Sequence, residues 1–437
     1  MRMSEKFQTP RGTRDFLPEE MIRLEYVIYT FKRIFEKYGF DNFETPAFEN
    51  FDLLAAKGGG GDEIKDQIYY FKDKSDRELG LRFDLTVPLA RVIANNPQLS
   101  KPFKRYCIGR VWRYEEIRKD RFREFWQCDI DTVGSESMQA DAEILAVLVE
   151  SLEALGFKKF CIKLNNRKIL SALIDLVNAP EKRKFEIFRA IDKLDKFGKD
   201  IVKDELKKIG LKPKQTSELL KLITTEGSPE KIIKNGESIL QSAIGSEGLR
   251  ELKEIVELSK SYGFSDKIVI DFSLARGLDY YTGPIFEVID TSGKNIGSLA
   301  GGGRYDDLIE LFGGRPTPAT GISFGIERII EVMKEEKVLA LPKTKVKVFV
   351  ANVSEDVKKD AIKMAKEFRD RGIPCQVDLM NRSLKNQLEF ADSLGIPFSV
   401  IIGPEEVKKK VVKFRDMKKR KEVTLKLARF IKELKSI

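Results

Sequence analysis

Residues 110–131 read RVWRYEEIRKDRFREFWQCDID. With their flanks they form two extended runs, KPFKRYCIGRVWRYEE (101–116) and REFWQCDIDTVG (123–134). Aromatic and β-branched residues fill both runs, and the charged loop IRKDRF joins them, so the pattern predicts a β-hairpin. In the second run a period of two puts Gln127, Asp129 and Asp131 on one face and Trp126, Cys128 and Ile130 on the other. A strand with one apolar and one carboxylate-bearing face either meets water or lines a polar pocket. Five nearby arginines (Arg110, Arg113, Arg118, Arg121, Arg123) favour an anionic ligand over a plain solvated face.

Working outward, Pro18 with Glu19 and Glu20 starts a helix. Its apolar stripe is Ile22, Val27, Phe31, Ile34 and Phe35, ending near Tyr38–Gly39. FDNFETPAF (40–48) is extended and bends at Pro46. The run Gly58 to Gly61 is a loop without the Lys-Ser/Thr of a P-loop. Segments 65–73 and 78–89 read as strands, followed by a helix after Pro88. MQADAEILAVLVESLEALGF (138–157) reads as an amphipathic helix, and FCIKLNN (160–166) as a strand. Residues 167–262 alternate Lys- and Glu-rich helical stretches with short breaks, the texture of a helical insertion. Strand patterning resumes in 267–290, continues through 296–308 and closes in the strand-to-helix unit ATGISFGIERIIEVM (319–333). ALPKTK (340–345) is a linker, and strands then alternate with helices to the end, as in a compact α/β domain. The expected division is therefore 1–166 and 263–338 for a first domain, 167–262 for its insertion, and 344–437 for a separate domain.

Three further segments draw notice. In LARGLDYYTGPIFE (274–287), Arg276 ends an apolar strand and Gly277 permits a sharp turn. An arginine there either neutralises a phosphate through its donor fork or pairs with Asp279. Gly301 to Gly303, ahead of Arg304 and Tyr305, implies close approach by a ligand or by another strand. In GISFGIERI (321–329), Gly321 and Gly325 lead into a helix carrying Glu327 and Arg328. That unit either makes room for a flat base with Arg328 near its phosphates, or is ordinary strand–helix packing.

Composition narrows the chemistry. The 437 residues are 42 % hydrophobic and 34 % charged, which suits a folded, soluble chain of several domains. No run reaches the roughly 18 apolar residues of a membrane span, and the N-terminus lacks a secretory apolar stretch, so the protein reads as cytoplasmic. There is no histidine, which removes every Ser-His-Asp, Cys-His or histidine-base mechanism. The four cysteines (Cys107, Cys128, Cys161, Cys375) include no C-x-x-C pair, so a zinc site is not expected and reduced thiols are. Between Val407 and Ile437 stand 13 Lys/Arg and 3 Asp/Glu, and this local excess equals the net +10 of the whole chain. A polyanion partner accounts for it, as does the solvated lysine-rich surface common in heat-adapted proteins.

Taken together, these segments resemble the class II aminoacyl-tRNA synthetases. RVWRYEEIRKDRFREFWQCDID looks like their motif 2, ATGISFGIERI like motif 3, and Phe40 to Leu54, around Pro46, like the dimer-forming motif 1. LARGLDYYTGPIFEV and AGGGRYDDL are similar to signatures of the histidyl-tRNA synthetase family, and LRFDLTVPLAR and FWQCDID are closer to its archaeal and eukaryotic branch. The resemblance runs through almost the whole chain.

It implies an antiparallel-sheet catalytic domain with a helical insertion, plus a C-terminal α/β anticodon-binding domain. It also implies activation of histidine by ATP, with Mg²⁺ on the phosphates, and transfer to tRNA(His) by a homodimer. By the same resemblance Arg113 and Arg276 are catalytic and flank the α-phosphate. Arg121 and Arg328 hold the β- and γ-phosphates, and Glu115 lies near the adenine. Asp84, Thr86 and Gln127 take the α-amino group; Asp131 and Tyr281 take the imidazole, with Tyr305 beside them. Bacterial members carry glutamate where this chain has Asp84. The nucleophile is already a carboxylate anion, so activation needs no histidine base. Two rivals share the fold: the regulatory subunit of ATP phosphoribosyltransferase, and a non-catalytic RNA-binding module. The intact arginines and full C-terminal domain speak against both.

Overall fold

The apolar stripe after Pro18 folds as a helix, Pro18–Lys37, with Glu19 and Glu20 in its first turn. In this computed structural model, residues 7–56, 65–117, 121–293 and 297–426 are described. Arg118 and the Gly58–Gly61 run lie outside them. The chain divides into two compact units, Met1–Asp15 with Val27–Leu339, and Phe16–Tyr26 with Ala340–Ile437. The second unit also takes the start of the first helix, which the expected division gives to the first domain.

In the first unit an eight-stranded sheet has the order β1-β5-β6-β11-β10-β9-β7-β8. Its members are β1 (Asp41–Asn42), β5 (Phe103–Trp112), β6 (Glu124–Val133), β7 (Phe160–Asn166), β8 (Ile268–Ile270), β9 (Pro284–Asp290), β10 (Ser298–Arg304) and β11 (Ala319–Gly325). All pairs are antiparallel except β1 with β5 and β7 with β8. The hairpin expected from the sequence is β5–β6. On its rear face Tyr106 and Phe324 meet Phe35 and Phe31 of the first helix, with ring centroids 5.6 and 4.8 Å apart. Both phenylalanines are fully buried, and burying each stabilises the fold by roughly 1.5–3 kcal/mol. That packing leaves the opposite face of the sheet for the site.

A smaller sheet has the order β2-β4-β3, from β2 (Phe48–Asn50), β3 (Tyr70–Lys72) and β4 (Glu78–Leu81). The helix after it spans Thr86–Asn95, starting two residues ahead of Pro88. Between β7 and β8 the chain is helical, in segments running from Arg167 to Tyr262.

The second unit holds a five-stranded sheet, β13-β12-β14-β15-β16. Its strands are β12 (Val348–Asn352), β13 (Cys375–Val377), β14 (Phe398–Ile402), β15 (Val412–Asp416) and β16 (Lys421–Leu425). Parallel pairing of β12 with β13 and β14 is crossed over by the helices Lys358–Asp370 and Leu384–Ser393. The sequence suggests a basic tail, but much of it forms the antiparallel hairpin β15–β16. Among the described residues no helix is long and apolar enough to cross a membrane.

Candidate active site

Directly opposed residues of an antiparallel pair point to the same face. Arg105 opposes Asp131, Cys107 opposes Asp129 and Gly109 opposes Gln127. On the other side of β6, Gly321, Ser323 and Gly325 oppose the same three polar residues. Continuing across β10 and β9, Gly303 and Gly301 oppose Ile285 and Glu287. One face of the sheet is therefore polar side chains standing among glycines. Gln127, Asp129 and Asp131 are all buried. This burial rules out a solvated face.

The glycines are spaces for particular side chains. A Cβ at Gly321 would collide with the Asp131 carboxylate, and one at Gly301 would lie 2.5 Å from the Arg276 guanidinium. At Gly303 it would meet the Tyr281 ring at 2.9 Å, and at Gly302 the Gly321 carbonyl. The close approach expected at Gly301–Gly303 is thus made both by a strand and by the side chains of Arg276 and Tyr281. Gly325 is different, with nothing nearer than 3.6 Å.

Asp131 is the centre of a buried cluster. Its Oδ2 lies 2.7 Å from the Arg105 guanidinium, and Tyr305 donates its hydroxyl to Oδ1. Arg105 also donates to the Leu85 carbonyl at 2.9 Å. Burial raises the Asp131 carboxyl, while Arg105 and Tyr305 pull it down. Burial also raises Asp129 to about 7 and Asp84 to about 6, against ordinary values of 3.8. Asp84 Oδ1 accepts from the Val87 amide at 3.0 Å in the first turn of helix Thr86–Asn95, where Thr86 is buried beside it.

Arg276 sits on a loop between β8 and β9. Arg276 itself, with φ +60°, occupies the left-handed region, and Gly277 does not. A non-glycine there costs of order 1–3 kcal/mol and persists only where its surroundings fix it. They do so through several bonds. Arg276 Nη1 is 3.2 Å from Glu287 Oε1. Asn165 donates to the carbonyls of Phe272 and Leu274 at 3.2 and 2.8 Å. The buried Arg167 donates to the Leu278 carbonyl at 2.6 Å and lies over the Phe188 ring. Asp279 pairs with Arg189 at 3.3 Å, and Arg276 with Glu287. Tyr281, with its hydroxyl raised by burial, packs edge-on to Tyr280, which in turn meets Tyr305.

Past the end of β5, Arg113 Nε donates to the Phe83 carbonyl at 2.9 Å and its guanidinium lies over Phe125. Arg121 and Glu115 pair with each other at 2.6 Å. Arg328 reaches back over Gly325 and donates to the Ser298 carbonyl at 3.1 Å. Arg113, Arg276 and Arg328 thus approach the same glycine-floored face from three separate stretches of chain.

Sequence reasoning did not name Arg105, Asn165, Arg167, Ser323 or Glu287. Alternation alone would have put Arg105 on the face of Cys107, but only the hairpin register sets it against Asp131. Asp129 was seen on the polar face and given no role.

An antiparallel sheet with three arginines over one polar face, followed by a strand-to-helix unit, defines the catalytic fold of class II aminoacyl-tRNA synthetases. The comparisons are specific. Residues 12–329 match the family model described as histidyl-tRNA synthetase, and residues 347–437 match an anticodon binding domain. The chain belongs to the histidyl-tRNA synthetase family. It is similar to the histidine–tRNA ligases of Pyrococcus furiosus (36% identity, 98% of each chain) and Aeropyrum pernix (42%, 91% of this chain and 90% of the other). Among solved structures it resembles the histidyl-tRNA synthetase of a Nostoc species, with a TM-score of 0.86 at 33% identity over 99% of each chain.

Proposed function

We infer that the chain works as a histidine–tRNA ligase. The histidine carboxylate attacks the α-phosphorus of ATP, pyrophosphate leaves, and the histidyl group passes from the adenylate to the terminal ribose hydroxyl of tRNA(His). The reading is supported by Arg276 above Gly301, Arg328 beside Gly325 and Arg113 over Phe125, all on the sheet face that carries Asp131.

In this reading Arg113 and Arg276 neutralise the α-phosphate from two sides as charge builds on it. Positioning and electrostatics supply the catalysis, since two anions must be brought together. Arg328 and Arg121 hold the outer phosphates, and Glu115 meets the adenine once its pairing with Arg121 opens. Asp84, Thr86 and Gln127 take the α-amino group. Asp131 accepts from one imidazole nitrogen, Tyr281 serves the other, and Tyr305 keeps Asp131 oriented. Mg²⁺ would enter with ATP and would offset the charge of its phosphates.

The C-terminal unit holds the tRNA anticodon stem, aided by the basic β15–β16 hairpin in a salt-sensitive way. The motif 1 region forms a homodimer, and the protein acts in the cytoplasm. The test is exchange of labelled pyrophosphate into ATP, which is expected only when histidine is added. Exchange with another amino acid instead, or with none, refutes the assignment.

A further inference from the structure

Three acceptor oxygens in the pocket are buried and have no hydrogen-bond partner: Asp84 Oδ2, Gln127 Oε1 and Asp129 Oδ1. A buried unpaired acceptor forfeits its hydration with nothing in return, and the loss is larger when it is charged. Three together mark a space shaped for a donor. Gln127 and Asp129 stand two residues apart on one face of β6, and Asp84 is near enough for its charge to act on Asp129. Asp131 Oδ2 also lacks a hydrogen bond, but the Arg105 guanidinium lies 2.7 Å from it and Tyr305 bonds Oδ1, so Asp131 is not part of this set.

We propose that Asp129 is a direct ligand of the α-ammonium of histidine, forming with Asp84 and Gln127 a cage of three acceptors. A primary ammonium offers three donors and one positive charge, and so matches three orphaned oxygens, two of them on carboxylates. The imidazole has at most two donors, lying in one plane, and cannot satisfy the set. The cation also lets both carboxylates ionise: burial raises both in the free site, and the charges of Asp131 and Asp84 raise Asp129 further. Ser323 bonds the Asp129 side chain and aims it. The proposal rests on the histidine reading given above.

The competing role for Asp129 is that of a counter-ion to Arg105, which would act on every ligand alike. Calorimetric titration of the full-length protein with L-histidine and with 3-(imidazol-4-yl)propionate, which lacks the amine, separates the two. In Asp129→Asn, histidine affinity is expected to fall tenfold or more while the deaminated analogue changes less than twofold. Equal losses for both ligands, or no loss, overturn the proposal.

A second measurement needs only the wild-type protein. Near pH 6.5, titration in buffers of different ionisation enthalpy counts the protons released on binding. Histidine is expected to release more than the analogue, and equal release refutes the cage even if the variant fails to fold. Absence of histidine binding by the wild type would remove the histidine reading itself and is seen separately.

Discussion

Arg105 and Asp131 face each other in register across the β5–β6 pair and close a 2.7 Å ion pair with side chains 0 % and 3 % exposed. Such a pair gains little over an apolar one, but removing one partner strands the other charge at a cost of about 3–5 kcal/mol. Arg105→Met is therefore expected to destabilise by roughly that amount and to leave Asp131 protonated. A protonated Asp131 presents the imidazole with the wrong donor. The KM for histidine should rise at least tenfold, while the KM for ATP moves little. Denaturant titration with steady-state pyrophosphate exchange checks both.

Two glycines should separate binding from turnover. Alanine at Gly301 places a methyl 2.5 Å from the Arg276 guanidinium, whereas alanine at Gly321 drives into the Asp131 carboxylate. Gly301→Ala is expected to lower kcat for adenylate formation by about a hundredfold, the scale of losing one charge-stabilising donor, with the histidine KM nearly unchanged. Gly321→Ala is expected to raise the histidine KM. If both variants showed the same split, the two glycines would not be spaces for different groups.

The pH dependence of stability follows from Asp84 and Asp129. Both folded-state values, about 6 and about 7, lie above the ordinary 3.8. Between those limits the folded protein holds protons that the unfolded chain has lost. The contribution is present in full below about pH 4 and disappears as pH rises through 6 and 7. Ligand-free protein should therefore lose this part of its stability from pH 5 to pH 8, and Asp129→Asn should flatten the slope. Denaturation midpoints across that range, with and without histidine, measure it. An unchanged slope in the variant would contradict the assignment.

The proposed homodimer has a surface suited to it. On the small β2-β4-β3 sheet Phe48, Tyr70 and Phe71 are 51%, 46% and 37% exposed, and Phe48 stacks edge-on to Phe71. Clustered exposed aromatics on one sheet mark an association surface. Sedimentation should give twice the chain mass for the wild type and a monomer for Phe71→Glu. A monomeric wild type would remove the dimer from the proposal.

What the sequence made legible was periodic or punctuated. Alternation put Gln127, Asp129 and Asp131 on one face, and the 3.6-residue stripe from Ile22 to Phe35 set the first helix. Register was not legible, because the long loop between β5 and β6 does not fix which residues oppose. Arg105 was missed for that reason. Gly277 looked like the residue with the unusual backbone because glycine adopts it freely. In the fold Arg276 takes it, held by carbonyl contacts from Asn165 and Arg167 that lie over 100 residues away in sequence. Contacts of that kind leave no local pattern.

Arg276 gives the sharpest separation of roles. Its side chain occupies the space above Gly301, paired with Glu287, while the Asp131 cluster is held independently by Arg105 and Tyr305. Removing Arg276 should thus spare the Asp131 cluster, leave the Tyr281 hydroxyl without the guanidinium it bonds, and take away a donor aimed at the charge developing on the α-phosphate. Arg276→Ala is expected to cut the single-turnover rate of adenylate formation by about 10²–10³, with a much smaller loss of histidine affinity through Tyr281. Rapid-quench kinetics and calorimetry on the same preparation give both numbers. A rate within threefold of wild type would mean that the loop Arg167 and Asn165 hold in place has a task other than activation.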